Sequence, residues 1–244
     1  MSTDVGRPGS FSPLDREASA GEILRRCGRT FWLSTLLMPS GTRRDMQQLY
    51  AFCRYVDDCA DRAASIPEAR ARLASIRADL HRECSEHPLV QGYLDLQSAR
   101  GIDPLPARQL VEGVTADLGE VAMRDESELI RYCYHVASTV GLMICQVLDV
   151  DPAGRRFAID LGVGMQLTNI ARDVAEDMGE GRVYLPESWI DHATVRRAVE
   201  QGDATAVQAT HTAILRTLDL AERYYRSADQ GMRYLPRSAR LGIL

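Results

Sequence analysis

Asn169, Asp173 and Asp177 are spaced four apart in the stretch Gln166-Leu-Thr-Asn-Ile-Ala-Arg-Asp-Val-Ala-Glu-Asp177. On an α-helix each step of four turns about 400° and rises roughly 6 Å, so the three oxygen-bearing side chains climb one face. A column of hard oxygen ligands on a rigid helix suits Mg²⁺, which takes few carboxylates and keeps positions open for phosphate oxygens. Taken alone, such spacing is most simply a solvated acidic face. A second column changes that reading: Asp57 and Asp61 repeat the spacing far earlier in the chain, amid Leu49, Phe52, Tyr55 and Val56. Stacked carboxylates repel one another, more strongly when partly buried. A cation is therefore expected between the columns, Mg²⁺ first and Mn²⁺ as the alternative, held by Asp57, Asp61, Asn169, Asp173 and Asp177. Arg54, Arg172 and Arg182 accompany the acids, as a polyanion such as diphosphate would require. The loop Gly181-Arg-Val-Tyr-Leu-Pro186 returns Arg182 and Tyr184 toward the acidic helix end, either as a plain connection or as a water-excluding flap.

The elements that must carry these residues are helical almost throughout, and no segment shows convincing strand alternation. Glu22 to Met38 reads as a first helix, stopped by Pro39-Ser-Gly41. Thr42 to Ala64 is the second, with Thr42 as N-cap and Asp45 at N3, and it bears the first column. Ser65-Ile-Pro67 opens a third by the cap-then-proline rule, running to Glu86. Leu89 to Arg100 and Leu105 to Met123 follow. The latter includes Asp117, for which a place at the site and an exposed structural place are both open. Glu126 to Val150 is the most apolar helix, with Gly141 permitting a close neighbour or substrate. Asp151-Pro152 opens the long helix of the second column, which Gly179 to Gly181 closes. Trp189 to Gln201 and Asp203 to Met232 complete the chain's helices.

A chain of 244 residues can bury one sizeable core. A net charge of −5 with no basic block argues against nucleic-acid binding. Six cysteines without a C-x-x-C pair read as reduced core residues, which places the protein in the cytoplasm. Residues 1–21 are rich in Gly, Ser and Pro and read as a disordered tail before a helical domain over 22–244. The longest uncharged run, Val136 to Leu148, is too short to span a bilayer, which takes about 20 residues.

Both acidic segments resemble the two aspartate-rich signatures of the squalene/phytoene synthase family. The first appears as Tyr50 through Asp61, and the second as Gln166 through Pro186 with its Arg-Val-Tyr-Leu-Pro tail. Arg29 through Pro39 is similar to the family's N-terminal substrate segment, and Tyr132 through Gly141 to its mid-chain helix, with Ser138 where the family usually has Gly. The resemblance implies an all-α, single-domain bundle of the isoprenoid-synthase type with a central cavity. It implies that Thr30 and Phe31 line the diphosphate and chain site, that Gln166 belongs to the diphosphate site, and that Tyr132, Ala137, Val140 and Gly141 line a tunnel for isoprenoid tails. It also implies head-to-head joining of two prenyl diphosphates through a cyclopropyl diphosphate. The motif wording is closest to phytoene synthases, which use geranylgeranyl diphosphate and no reductant. A farnesyl diphosphate-using presqualene or squalene synthase is the alternative, and only a squalene-type enzyme would need NADPH. A head-to-tail prenyltransferase is a further rival, since Asp57-Asp-Cys-Ala-Asp61 satisfies its usual first motif. A non-catalytic scaffold on the same fold is the rival from another class. Family members usually continue beyond the point where this sequence stops, with further helices. The exposed apolar surface expected from their lack would favour a homodimer, and the greasy product would favour contact with a membrane surface.

Overall fold

The computed structural model describes residues 19–27, 29–36 and 38–236. The fold is all-α apart from one two-residue bridge. The opening helical stretch is described over Ala20–Cys27 (α1) and Arg29–Leu36 (α2), with residue 28 outside the described ones. α3 (Ser40–Asp61) starts directly after Pro39, earlier than a cap at Thr42 would allow, and without a side-chain cap. The guanidinium of Arg43 explains why the early start is favourable. It donates to the carbonyls of Thr35, Leu36 and Met38 at 3.1, 3.0 and 3.2 Å, satisfying acceptors at and just beyond the end of α2. Asp45, expected at N3, instead pairs with Arg100.

α4 (Ile66–Arg82) begins as the sequence predicts, with Ser65 Oγ accepting from the Glu68 amide and Pro67 in the first turn. α5 (Pro88–Arg100) ends on Gly101 in the left-handed region, and α6 (Pro104–Ala116) is capped by Asp103. α6 stops well before the expected Met123. The chain leaves it at Asp117 and runs into a short strand, β1 (Val121–Ala122). α7 (Glu126–Cys133) leads into a π-helical turn, Tyr134–Ser138, and then α8 (Thr139–Val147), so the apolar helix is interrupted. α9 (Arg155–Gly179) is the long helix of the second column, followed by β2 (Arg182–Val183), α10 (His192–Gln201) and α11 (Ala204–Asp229).

β1 and β2 pair in parallel, Val121 with Arg182 and Ala122 with Val183. The amides of Glu187 and Ser188 extend the stitch to the carbonyls of Met123 and Arg124 at 2.8 and 3.0 Å. The loop after the second column is thus tied down by backbone bonds, where strand pairing was not expected.

Burial divides into two apolar clusters. One gathers α3 to α6 and α8 around Phe52, Leu73, Tyr93, Leu110 and Met143. The other gathers α7, α9, α10 and α11 around Leu129, Val163, Leu167, Leu185 and Leu220. The π turn packs on both α6 and α9, and joins the halves. Two glycines permit this: a Cβ on Gly162 would lie 2.6 Å from the Ser138 Cα, and one on Gly113 would lie 2.7 Å from the His135 Cβ.

Candidate active site

The first acidic column lies at the C-terminal end of α3. Asp57 is half-buried, and burial followed by the charge of Asp61 raises its carboxyl to about 7. Burial also raises Asp61, against the attraction of Arg54 and Arg182. Asp58 points elsewhere: Arg54 Nη2 lies 2.5 Å and Arg62 Nε 3.1 Å from the same Oδ1. Arg54, expected to receive a polyanion, therefore already holds Asp58, while its charge still acts on Asp57 and Asp61.

The second column is less uniform than its spacing suggests. Asp177 is half-buried, and burial raises its carboxyl to about 6 despite Arg182, with Asp173 and Asp117 adding to the rise. Asp173 is turned to its neighbour, both carboxylate oxygens accepting from Arg172 at 2.6 Å. Arg172 is largely exposed. Asn169 Nδ2 reaches Gln166 Oε1 at 3.5 Å, the outer limit of a hydrogen bond. α3 and α9 share little direct contact, with α6, α8 and the π turn packed between them.

Arg182 is the cation whose charge acts on both columns. Its Nη2 lies 3.9 Å from Asp177 Oδ1 and also pairs with Glu180, and its charge reaches Asp61 on the other column. Its Nε is buried without a hydrogen-bond partner. Carboxyls lifted by burial beside an orphaned guanidinium N–H form a site short of both a cation and an anion. Among the described residues no three His, Cys, Asp or Glu side chains converge to enclose a metal ion by themselves. The donors therefore fit a hard cation that each column grips with few carboxylates and that draws its remaining oxygens from a ligand, which is the habit of Mg²⁺.

Tyr184 is buried, and its phenol donates to Asp117 Oδ1 at 2.6 Å. Tyr132 donates to Asp117 Oδ2 at 3.2 Å, and the two rings stack with centroids 4.8 Å apart. Of the two readings open for Asp117, the structure takes the one at the site. No spacing marked it, because its partners are distant in sequence.

The residues expected to line a tunnel are less of a piece. Tyr132 joins the Asp117 cluster, and Val140 packs on the first apolar cluster. Gly141 meets a neighbouring backbone: a Cβ there would be 2.9 Å from the Ala158 carbonyl oxygen, so its smallness serves helix contact with α9. Ala137 lies in the π turn, its carbonyl carbon 2.9 Å from the place a Gly162 Cβ would take. The side chains of Thr30 and Phe31 lie outside the described ones. The crevice at the second column, bounded by Ile170, Val174, Asp177 and Arg182 to Leu185, holds about 10 Å³, enough for one water. A larger cavity of about 410 Å³ lies away from the acids, between α5 and the start of α6, lined by Glu83, Asp95, Gln97 and Ile102 among others. Neither is the expected central tunnel.

Apolar surface does adjoin the acids. Carrying the spacing of four back along α9 from Asn169 reaches Met165 and Leu161, which are 53% and 38% exposed on a helix otherwise well packed. One i±4 ridge thus runs from two apolar side chains to three oxygen donors. The same periodicity that revealed the acids could have found these two.

The family described as squalene/phytoene synthase matches residues 24–244. A 15-cis-phytoene synthase of Paracoccus sp. is 38% identical over 234 residues, covering 91% of this chain and 75% of that protein. Another from Pantoea ananas is 35% identical over 235 residues, covering 89% and 74%. Among solved structures, a dehydrosqualene synthase in complex with ligand superposes with a TM-score of 0.75 at 25% identity, covering 94% of this chain and 81% of that one. The squalene synthase HpnC from Alicyclobacillus acidocaldarius shares the fold, with a TM-score of 0.74 at 20% identity, covering 95% and 90%.

Proposed function

Because this chain belongs to the squalene/phytoene synthase family, we propose that it joins two molecules of geranylgeranyl diphosphate head to head to give phytoene, a step of carotenoid synthesis. The observation that carries the chemistry is Arg182 beside Asp177, with its Nε unpaired and carboxyls of both columns raised by burial. The relatives that bear the phytoene synthase name support the choice of substrate.

In the first half-reaction the C1–O bond of one allylic diphosphate breaks and its electron pair leaves with diphosphate. The double bond of the second substrate captures the allylic cation, and loss of a proton closes a cyclopropyl diphosphate. The second half breaks the remaining C–O bond, rearranges the cation and releases a proton to form the central double bond, so no reductant is consumed. Asp57, Asp61, Asn169, Asp173 and Asp177 would hold Mg²⁺, or Mn²⁺ in its place. When bound, the ion offsets the charge that builds on the leaving diphosphate. Arg182, with its unpaired Nε, contributes a donor to the same charge, and Arg54 and Arg172 flank it. Each 1.36 kcal/mol of such stabilisation is worth about tenfold in rate. Met165 and Leu161 offer the tails apolar contact beside the headgroup site, and Tyr184 keeps the loop closed over the second column against water.

Among the described residues no helix is long and apolar enough to cross a membrane. A product without polar groups nevertheless partitions into lipid, so the protein works beside a membrane surface. The test is to incubate the purified chain with Mg²⁺ and geranylgeranyl or farnesyl diphosphate and identify the hydrocarbon. A 40-carbon product is expected. A 30-carbon product would assign the farnesyl branch. Neither diphosphate release nor Mg²⁺-dependent binding would leave a scaffold.

A further inference from the structure

Three elements that are remote in sequence meet on one carboxylate. Asp117 leaves the C-terminus of α6, Tyr132 stands near the end of α7, and Tyr184 follows β2. Each Asp117 oxygen accepts from a different phenol, and the stacked rings close over the pair. Packing alone does not call for a carboxylate here, since two stacked rings bury well against apolar neighbours and a buried acid pays for its desolvation. Asp117 is not among the metal-ligand candidates, and the reaction proposed above assigns it nothing.

Its consequence runs along the extended segment Arg182–Val183–Tyr184. Alternate residues of an extended chain point to the same side, so Arg182 and Tyr184 share a face, and Val183 and Tyr184 are both buried. Fixing Tyr184 at one end therefore fixes where the Arg182 guanidinium emerges. The ion pairs of Arg182 are with Glu180 and Asp177, and its Nε stays unpaired. We propose that Asp117 is a positioning residue: by accepting both phenols it sets the Arg182–Tyr184 segment so that Arg182 lies beside Asp177 of the second column, ready for a diphosphate group. This rests on the diphosphate-binding site of the preceding section.

The experiment is a mutant cycle read by calorimetric binding of inorganic diphosphate with Mg²⁺ to the full chain, alongside steady-state kinetics. Asp117→Asn is expected to weaken diphosphate binding about tenfold and to raise KM far more than it lowers kcat. In an Arg182→Ala background the same change is expected to have no further effect on binding, because its route is then gone. Tyr184→Phe, which keeps the ring and loses one hydrogen bond, should reproduce the binding loss if Asp117→Asn folds poorly. Equal losses with and without Arg182, or a lowered melting temperature with unchanged diphosphate affinity in both variants, would overturn the proposal. Wild-type protein that binds diphosphate but forms no hydrocarbon would overturn the proposed reaction and leave this inference standing on the cycle. Wild-type protein that binds no diphosphate would overturn both.

Discussion

Asp57 and Asp58 are adjacent acids with opposite situations. Asp58 is saturated, its one oxygen shared by Arg54 and Arg62. Asp57 is lifted first by burial and then by the charge of Asp61, and its carboxyl rises to about 7. A group whose folded pKa is raised keeps a proton that the unfolded chain has released. Its effect is therefore a loss of stability as pH climbs from about 4 to about 7, complete above that. Asp177, raised to about 6, acts in the same sense over a slightly narrower window. Asp57→Asn should accordingly raise the metal-free melting temperature at pH 8, by roughly 2–4 °C, while abolishing turnover. Asp58→Asn should lower stability by about 2 kcal/mol, because two arginines lose their acceptor. Thermal melts at pH 5 and pH 8 would separate the two, the Asp57 gain vanishing at the lower pH. Spacing alone made Asp57 and Asp61 legible, and it showed Arg54 lying one turn from Asp58. It could not show that Asp58 would draw in Arg62 as well, since i, i+4 partners compete and only the fold settles the contest.

At the level of elements, apolar periodicity found the helices and missed what interrupts or ends them. The expected continuous helix from Glu126 to Val150 contains a π turn, one residue wider than α, which a 3.6-residue pattern barely registers. Its neighbours show what it needs. Ser138 donates its hydroxyl to the Ile159 carbonyl at 2.7 Å, and Gly162 leaves room for the Ser138 backbone. The hydroxymethyl at 138 is thus a tether to α9. Gly162→Ala should cost about 2 kcal/mol in a denaturant melt, because the contact it would violate is backbone and cannot swing away. The two strands escaped notice for a different reason. Two residues cannot display alternation, and the partner of Val121 is Arg182, far along the chain.

Across the whole molecule, Val56 and Cys59 beside the first acidic column belong to one apolar cluster, and Ile170 and Met178 beside the second belong to the other. A ligand that bridges the columns therefore joins the halves. Mg²⁺ alone should stabilise little, since no three carboxylates enclose it among the described residues. Mg²⁺ together with inorganic diphosphate should raise the melting temperature clearly, a ligand at a hundred times its Kd being worth about 2.7 kcal/mol. A scanning fluorimetry titration of each alone and of both together reads the difference. The whole-chain class was legible because helical period and paired acidic columns are local patterns. The Asp117 cluster was not, because its three members lie on separate elements that only the fold brings together.

Grease at Leu161 and Met165 and oxygen at Asn169, Asp173 and Asp177 sit on a single rod, so in the proposed reaction tail and headgroup would be gauged against the same screw thread. Slipping one extra residue in between Met165 and Asn169 would rotate one set by about 100° and shift it about 1.5 Å relative to the other. Length and phase are locked together there, and substitutions can retune either end only within that fixed pitch.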